Sequence, residues 1–390
     1  MLQPAATMAL LGTETAFKVL ARAAQLQAQG RSVINLGIGQ PDFKTPDHIV
    51  EAGIKALRDG HHGYTPAEGI LPLREAVAAD LQRRAGLTVD PARVLIVPGG
   101  KVTICFAALM FGEPGAEILY PDPGFPIYQS IIAFTGATPV PIPLDEADGF
   151  AFSAERVLSL ITPRTRLIIL NSPANPTGGV TPAAELDKLA AGLERHPQVA
   201  ILSDEIYSQV LYDGRAHKSL LSYPALRERV ILLDGWSKTY AMTGWRLGYG
   251  VWPKALVDGA TRLAVNCHSC VNAATQYAGL AALTGPQDSV QEMTAAFEER
   301  RRVVLTALNQ VPGLRCIEPG GAFYAFPNIS GTGLNAKALE VGLLEEAGVA
   351  TIAGTSFGPH GEGFLRISYA NSVDNIRDAI DRIRGWLAAR

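Results

Sequence analysis

Residues 199–208 read VAILSDEIYS, and residues 230–240 read VILLDGWSKTY. In each stretch an apolar, largely β-branched run goes on without alternation and stops at a polar cluster. That is the mark of a strand covered on both faces, as in a parallel sheet. The same form recurs at Val94–Val97, Glu117–Tyr120, Thr138–Ile142, Leu167–Leu170 and Leu247–Val251. Helical patterns lie between many of these runs, as at Leu71–Arg84, Val102–Phe111 and Ala183–Glu194. Such alternation predicts an α/β fold around a large, doubly wound, mainly parallel seven-stranded sheet. Open sheets of this kind bind ligands beyond the carboxyl ends of their strands. The residues that follow each strand are therefore where chemistry is expected.

The last hundred residues have a different rhythm. A long helix is expected over about Pro286–Val311, then strands at Leu314–Glu318 and Ala322–Pro327 and a helix at Ala336–Ala347. Short strands near Val349–Ile352 and Phe364–Ser368 and a final helix at Val373–Ala389 complete a smaller α+β unit. Ser32–Leu36 is an isolated strand that could join either unit. The chain has 390 residues, 47% of them hydrophobic and 18% charged, against a usual charged share of roughly 25%. That deficit excludes a disordered chain or a coiled coil and fits extensive burial. The 34 Lys and Arg against 37 Asp and Glu leave a net charge of −3, which offers no nucleic-acid footprint. Four cysteines do not make a disulfide scaffold and read as reduced thiols. No apolar run reaches the ~18 residues of a membrane span. The N-terminus lacks a basic start before its short apolar run, so a cytoplasmic protein is expected.

Three strand ends carry an acid, a lysine and an amide. Asp204 follows Val199–Ser203, Lys238 lies a few residues beyond Val230–Leu233, and Asn175 lies in NSPANPTGG after Leu167–Leu170. Singly, each reads as a helix cap, a solvated charge or a turn. Jointly they match the needs of pyridoxal-phosphate chemistry: an amine for a Schiff base, a carboxylate opposite a pyridine nitrogen, and groups that fix the ring and its phosphate.

The segments INLGIGQPDF, GYTPAEGILPLREAVA, VPGGK, NSPANPTGGV, SDEIYSQVLYDG, GWSKTYAMTGWRLGY, GGAFY and FLRISYA stand in this order from about Val33 to the C-terminus. In this the chain resembles the fold-type I pyridoxal-phosphate-dependent aminotransferases of class I/II, near the aspartate-aminotransferase-like branch. The resemblance implies that Lys238 is the Schiff-base lysine and moves a proton during turnover. It implies that Asp204 pairs with the pyridinium nitrogen and that Tyr207 and Asn175 contact the cofactor's 3′-oxygen. Phe125 falls where the family often has Trp or Tyr on the ring face. Gly99, Gly100 and Lys101, with Ser237 and Arg246, would form the phosphate cradle. A helix start there also offers free N–H groups, and glycine permits close approach. Tyr64 resembles a tyrosine that reaches the phosphate of a neighbouring subunit, which implies a homodimer with shared active sites. Arg366 would clamp the substrate α-carboxylate, helped by Asn175 and the backbone N–H of Gly39. An arginine in so apolar a segment needs an anion in any case, either a ligand or an internal Asp or Glu.

The motif order divides the chain into a cofactor-binding domain, 45–285, and a small domain built from 1–44 and 286–390. The implied activity is transfer of an amino group from an L-amino acid to a 2-oxo acid, with 2-oxoglutarate as acceptor, in a ping-pong cycle with pyridoxal 5′-phosphate. No second Arg or Lys in a matched motif would hold a distal carboxylate, so an aspartate-like, alanine-like, aromatic or broad donor range stays open. A lyase or decarboxylase on the same scaffold would share Lys238, Asp204 and Arg366. A ligand-sensing domain of a transcription regulator is disfavoured, because no basic segment is left over to bind DNA. The GxGxxA run of Gly331–Ala336 lacks the acid of a dinucleotide site, and Cys267 to Cys270 lack a second ligand pair for a metal. His268, beside Cys267, is a weak candidate for a substrate contact.

Overall fold

The computed structural model describes residues 2–390. In chain order its strands are β1 (Ile34–Asn35), β2 (Val94–Val97), β3 (Glu117–Asp122), β4 (Thr138–Pro143), β5 (Thr165–Asn171) and β6 (Ala200–Asp204). They continue with β7 (Val230–Gly235), β8 (Gly248–Val251), β9 (Tyr324–Ala325), β10 (Val349–Ala350), β11 (Ile352–Ala353) and β12 (Leu365–Ser368). The large sheet has seven strands in the order β2-β8-β7-β6-β5-β3-β4. Only β8 runs against its neighbours, β2 and β7; every other pairing is parallel.

The unalternating apolar runs have the cause expected of them. Ile168, Ile201 and Leu232 enter one core cluster, while Ile169, Leu202 and Ile231 enter a second on the opposite face. Both faces are thus buried, and each strand must be apolar at every position. A third cluster joins Ile34 and Leu36 from near the N-terminus to Val304, Leu308, Ile367, Ile376 and Ile380 near the C-terminus. There β1 pairs in parallel with β10, so the isolated strand of Ser32–Leu36 joins the C-terminal elements, and β11-β12-β9 forms a small antiparallel sheet.

The register of the large sheet sets the site. Asn171, the last residue of β5, pairs with Asp204, the last of β6; Asp204 pairs in turn with Leu233, just before the end of β7. Gly235 and Val97 both pair with Gly248, which places the turns after β7 and β2 side by side.

Two expectations fail locally. Leu314–Glu318 is not a strand and makes only one bridge, Arg315 to Asn328. The Asn309 side chain explains this. Its amide accepts from the Cys316 N–H at 2.8 Å and donates to the Cys316 carbonyl at 3.0 Å, so one side chain satisfies the groups that a ladder would have used. The helix expected over Ala336–Ala347 is α-helical to Gly342 and then widens into a π turn, Leu343–Ala347.

Candidate active site

The strand ends open onto a cavity of about 440 Å³. Gly39, Gly100, Lys101, Phe125, Asn175, Asp204, Tyr207, Ser237, Lys238, Arg246 and Arg366 all line it. Gly99 stands one residue behind the lining. Tyr64 lies outside the cavity of its own chain, with 93% of its surface exposed.

Lys238 sits in a short helix, Trp236–Thr239, directly after β7. Its Nζ donates to the Gly39 carbonyl at 2.6 Å. Burial, reinforced by the cations of Arg366 and Arg246, pushes the ammonium down to about 8. Asp204 is buried at the end of β6. Its Oδ2 accepts from the Tyr128 hydroxyl at 2.7 Å and its Oδ1 from the Ile206 N–H at 3.2 Å. Burial still pushes its carboxyl up to about 6, because those two bonds offset desolvation only in part and Asp234 and Glu205 oppose ionisation. Asn171 steadies the strand end, donating to the Asp204 carbonyl and accepting from the Asn175 N–H.

Arg366 is buried, with its guanidinium held between the rings of Tyr324 and Phe357 at 4.7 and 4.8 Å. Its Nη1 donates to Asn175 Oδ1 at 2.9 Å and its Nη2 to the Gly37 carbonyl at 2.5 Å, while Nε has no partner. Neither of these acceptors is a carboxylate, so the cation has no internal Asp or Glu on it. Burial accordingly lowers its pKa. A buried guanidinium in this state is a receptor for an anion.

At the other end of the cavity, helix Lys101–Phe111 begins after β2. The N–H groups of Val102 and Thr103 are taken by the carbonyls of Gly99 and Gly100, which leaves those of Gly100 and Lys101 as the free donors of the helix start. Gly99 has φ +91°, and a Cβ there would lie 2.1 Å from Arg246 Nη2. Only glycine fits both the backbone and the guanidinium. Arg246 is itself left-handed at φ 54°, an uncommon conformation for a residue with a side chain, and its Nη1 bonds the Thr243 carbonyl.

Four residues enter the site without having been singled out in the sequence. Tyr128 lies three residues after Phe125, in the stretch PGFPIY, and bonds Asp204. Asn171 opens the NSPANPTGG segment. Tyr324 ends the GGAFY segment, and its hydroxyl is 2.7 Å from that of Tyr207. Glu14, which pairs with Lys101, has no motif around it. His268 stacks on Phe106 outside the cavity, its ring nitrogens unpartnered. Among the described residues no group of His, Cys, Asp and Glu could hold a metal ion, and no helix is long and apolar enough to cross a membrane.

The family model for aminotransferase class I and II matches residues 31–383. This chain belongs to that family. An aspartate aminotransferase of Geobacillus stearothermophilus is 38% identical over all of this chain and 98% of its own length. An aromatic-amino-acid aminotransferase of Thermococcus litoralis is 39% identical over 91% of this chain and 92% of its own. The crystal structure of the aspartate aminotransferase from Rhizobium meliloti superposes with a TM-score of 0.94 at 36% identity, covering 100% of this chain and 99% of that one. The chain is thus an aminotransferase, a transferase of amino groups, and the lyase or decarboxylase alternative is not favoured.

Proposed function

We propose that this aminotransferase moves the amino group of an L-amino acid to 2-oxoglutarate in two half-reactions at one site, with pyridoxal 5′-phosphate as cofactor. The observation that carries the reading is the buried Arg366 guanidinium, with no carboxylate on it and its Nε free, in one cavity with the depressed amine of Lys238 and the buried carboxylate of Asp204. When bound, the cofactor supplies an electron sink for the pair of electrons left when the substrate α-C–H bond breaks. The residues fit it. The N–H groups of Gly100 and Lys101, the Ser237 hydroxyl and the Arg246 guanidinium hold a phosphate. Asp204 would pair with the pyridine nitrogen of the cofactor, where a positive charge would favour the ionised carboxylate. Tyr207 and Asn175 would donate to the ring oxygen, and Phe125 would cover a ring face.

Arg366 takes the α-carboxylate of the substrate, Nε included, and so fixes which bond at the α-carbon faces Lys238. The backbone N–H of Gly39 adds a donor to the same carboxylate. The Lys238 amine, whose pKa burial and the two arginines lower to about 8 in the unfilled site, would take the α-proton as a general base. The same amine would then give that proton up again, to complete the transfer. The names of the relatives support both aspartate-like and aromatic donors.

The working unit in this reading is a cytoplasmic homodimer. Tyr64 reaches the phosphate site of the second copy, consistent with its full exposure here, and the free thiols of Cys105, Cys267, Cys270 and Cys316 suit a reducing compartment. A division into 45–285 and 1–44 with 286–390 belongs to the same reading, supported by the core that joins Ile34 and Leu36 to Val304, Ile367 and Ile380.

The test is a single-turnover experiment. An L-amino acid alone should convert the visible absorbance of the purified enzyme and yield one equivalent of 2-oxo acid, and 2-oxoglutarate should restore the spectrum. Borohydride reduction should tag the Lys238 peptide. Release of CO₂ or ammonia in place of the 2-oxo acid would overturn the reading.

A further inference from the structure

Six charged side chains line the cavity: Glu14, Lys101, Asp204, Lys238, Arg246 and Arg366. In the function proposed above, on which this inference rests, four of them are engaged by the cofactor or the substrate α-carboxylate. Lys101 contributes its backbone N–H, and its ammonium is the one cation left over. That ammonium does not face the cavity unpaired. It is ion-paired with Glu14 and lies 5.2 Å from the centre of the Phe125 ring.

Glu14 is poorly explained as a structural residue. It stands at the N-cap of helix Thr15–Ala28, yet its side chain makes no capping hydrogen bond to that helix. It reaches instead across the cavity mouth to the start of another helix. The pair is only partly shielded, with side-chain exposures of 37% for Lys101 and 21% for Glu14. Around it the wall is apolar: Ala16, Phe17, Ile38, Ile104 and Phe125.

We propose that Glu14 is an internal counter-ion that sets substrate preference. While it holds Lys101, the side-chain end of the cavity is electrically neutral and greasy and selects amino acids with apolar side chains. A substrate with a second carboxylate gains Lys101 only by displacing Glu14. A single site that must accept an apolar donor and then a dicarboxylic acceptor is served by such an exchange, because the protein's own carboxylate stands in for the missing substrate carboxylate. The physical basis is competition. Two carboxylates cannot share one ammonium at the cavity mouth without repelling each other, and the one already tethered must be moved.

The experiment uses the holoenzyme and two inert probes that share one carboxylate: succinate, a dicarboxylate, and 3-phenylpropanoate, an apolar monocarboxylate. Their Kd values are measured by calorimetry in the wild type, Glu14→Gln, Glu14→Asp, Lys101→Gln and the Glu14→Gln/Lys101→Gln pair. In Glu14→Gln, the preference for succinate over 3-phenylpropanoate should rise about tenfold, equivalent to ~1.4 kcal/mol. Glu14→Asp keeps the charge and should fall between. The ratio of kcat/KM for L-aspartate over L-phenylalanine should move the same way. An unchanged or lowered preference in Glu14→Gln overturns the proposal, as does a rise of equal size when Lys101 is already Gln. Melting curves of each variant report folding separately. If no amino acid is turned over by any variant while the Kd ratios shift as stated, the amino-transfer reading fails and the counter-ion stands.

Discussion

Gly39→Ala puts the contact between the two ends of the chain to a direct test. A Cβ at position 39 would lie 2.3 Å from the Tyr324 hydroxyl oxygen, 3.3 Å from its Cζ and 3.4 Å from its Cε1. The first of these contacts is impossible and the other two are merely tight. Tyr324 cannot simply swing away. Its ring is buried, it covers Arg366, and its hydroxyl is held 2.7 Å from that of Tyr207. The alternative, moving the backbone at Gly39, draws its carbonyl off Lys238. Overpacking of this kind costs ~2 kcal/mol. Tyr324→Phe alone loses the bond to Tyr207, ~1 kcal/mol. If the clash is with the hydroxyl, removing it relieves the alanine. The double variant should then cost only ~1 kcal/mol rather than the additive ~3, a coupling of ~2 kcal/mol. For a chain of this length ~2 kcal/mol corresponds to about 2 °C in Tm. The assay is a set of four melting curves with four single-turnover rates. Gly39→Ala should be slowed most and partly rescued by Tyr324→Phe. Equal losses from Gly39→Ala with and without the hydroxyl would refute the argument.

Two further outcomes follow from the titrating groups. The Lys238 amine, with its pKa held at about 8 against 10.5 for an ordinary lysine, should react with an amine-selective reagent in the apoprotein with a midpoint near pH 8, read by peptide mapping. Because the folded pKa is the lower one, the unfolded chain binds the extra proton between those values. Stability should therefore rise by up to ~3 kcal/mol from pH 8 to 10.5, be lost again as pH falls through that window, and lose this dependence in Lys238→Met. Tyr128→Phe removes the hydroxyl that favours the ionised form of Asp204, whose pKa is already about 6. The acid limb of pyridoxal-phosphate binding by the apoprotein should then move up by about one pH unit, the worth of a charge-assisted bond of ~1.5 kcal/mol; an unmoved limb would sever the link between Tyr128 and Asp204.

The legibility of the chain follows from where each feature gets its stability. The large sheet can be read from sequence because strands buried on both faces must be apolar throughout, as Ile168–Ile169 and Leu232–Leu233 are, and because each run is too short for a buried helix and ends in a polar turn. The residues at the strand ends can be read because their spacing from each strand is fixed by the register, as in the pairing of Asn171 with Asp204. Leu314–Glu318 is misread because an amide seven residues before Cys316 replaces a strand partner, and a side chain doing backbone work leaves no periodicity. Glu14 is invisible for a related reason. Its partner Lys101 is 87 residues away, and only the packed position of the first helix brings them together. Tyr128, near Phe125, and Tyr324, in GGAFY, act through hydroxyls, whose partners are a matter of tertiary geometry.

In the proposed function the charges of the cavity let one arrangement serve both binding and proton transfer. Lys101, Lys238, Arg246 and Arg366 are four cationic groups against the two carboxylates of Glu14 and Asp204, an excess of two positive charges on the protein's own lining. With Glu14 spent on Lys101 and Asp204 turned to Tyr128, that excess falls on Arg366, Arg246 and Lys238. The two arginines stay charged at all working pH values, so the lysine is the group that gives way, which is why both appear among the causes of its lowered pKa after burial itself. In the proposed function the same two guanidiniums that would recruit a phosphate and a carboxylate also hold the nearby amine ready to accept a proton. Anions bound on them weaken that effect, so the lysine becomes a stronger base as the site fills. Neutralising either arginine should cost affinity for its anion and shift the Lys238 titration upward together, and a variant that changed one without the other would show that the two roles are separable.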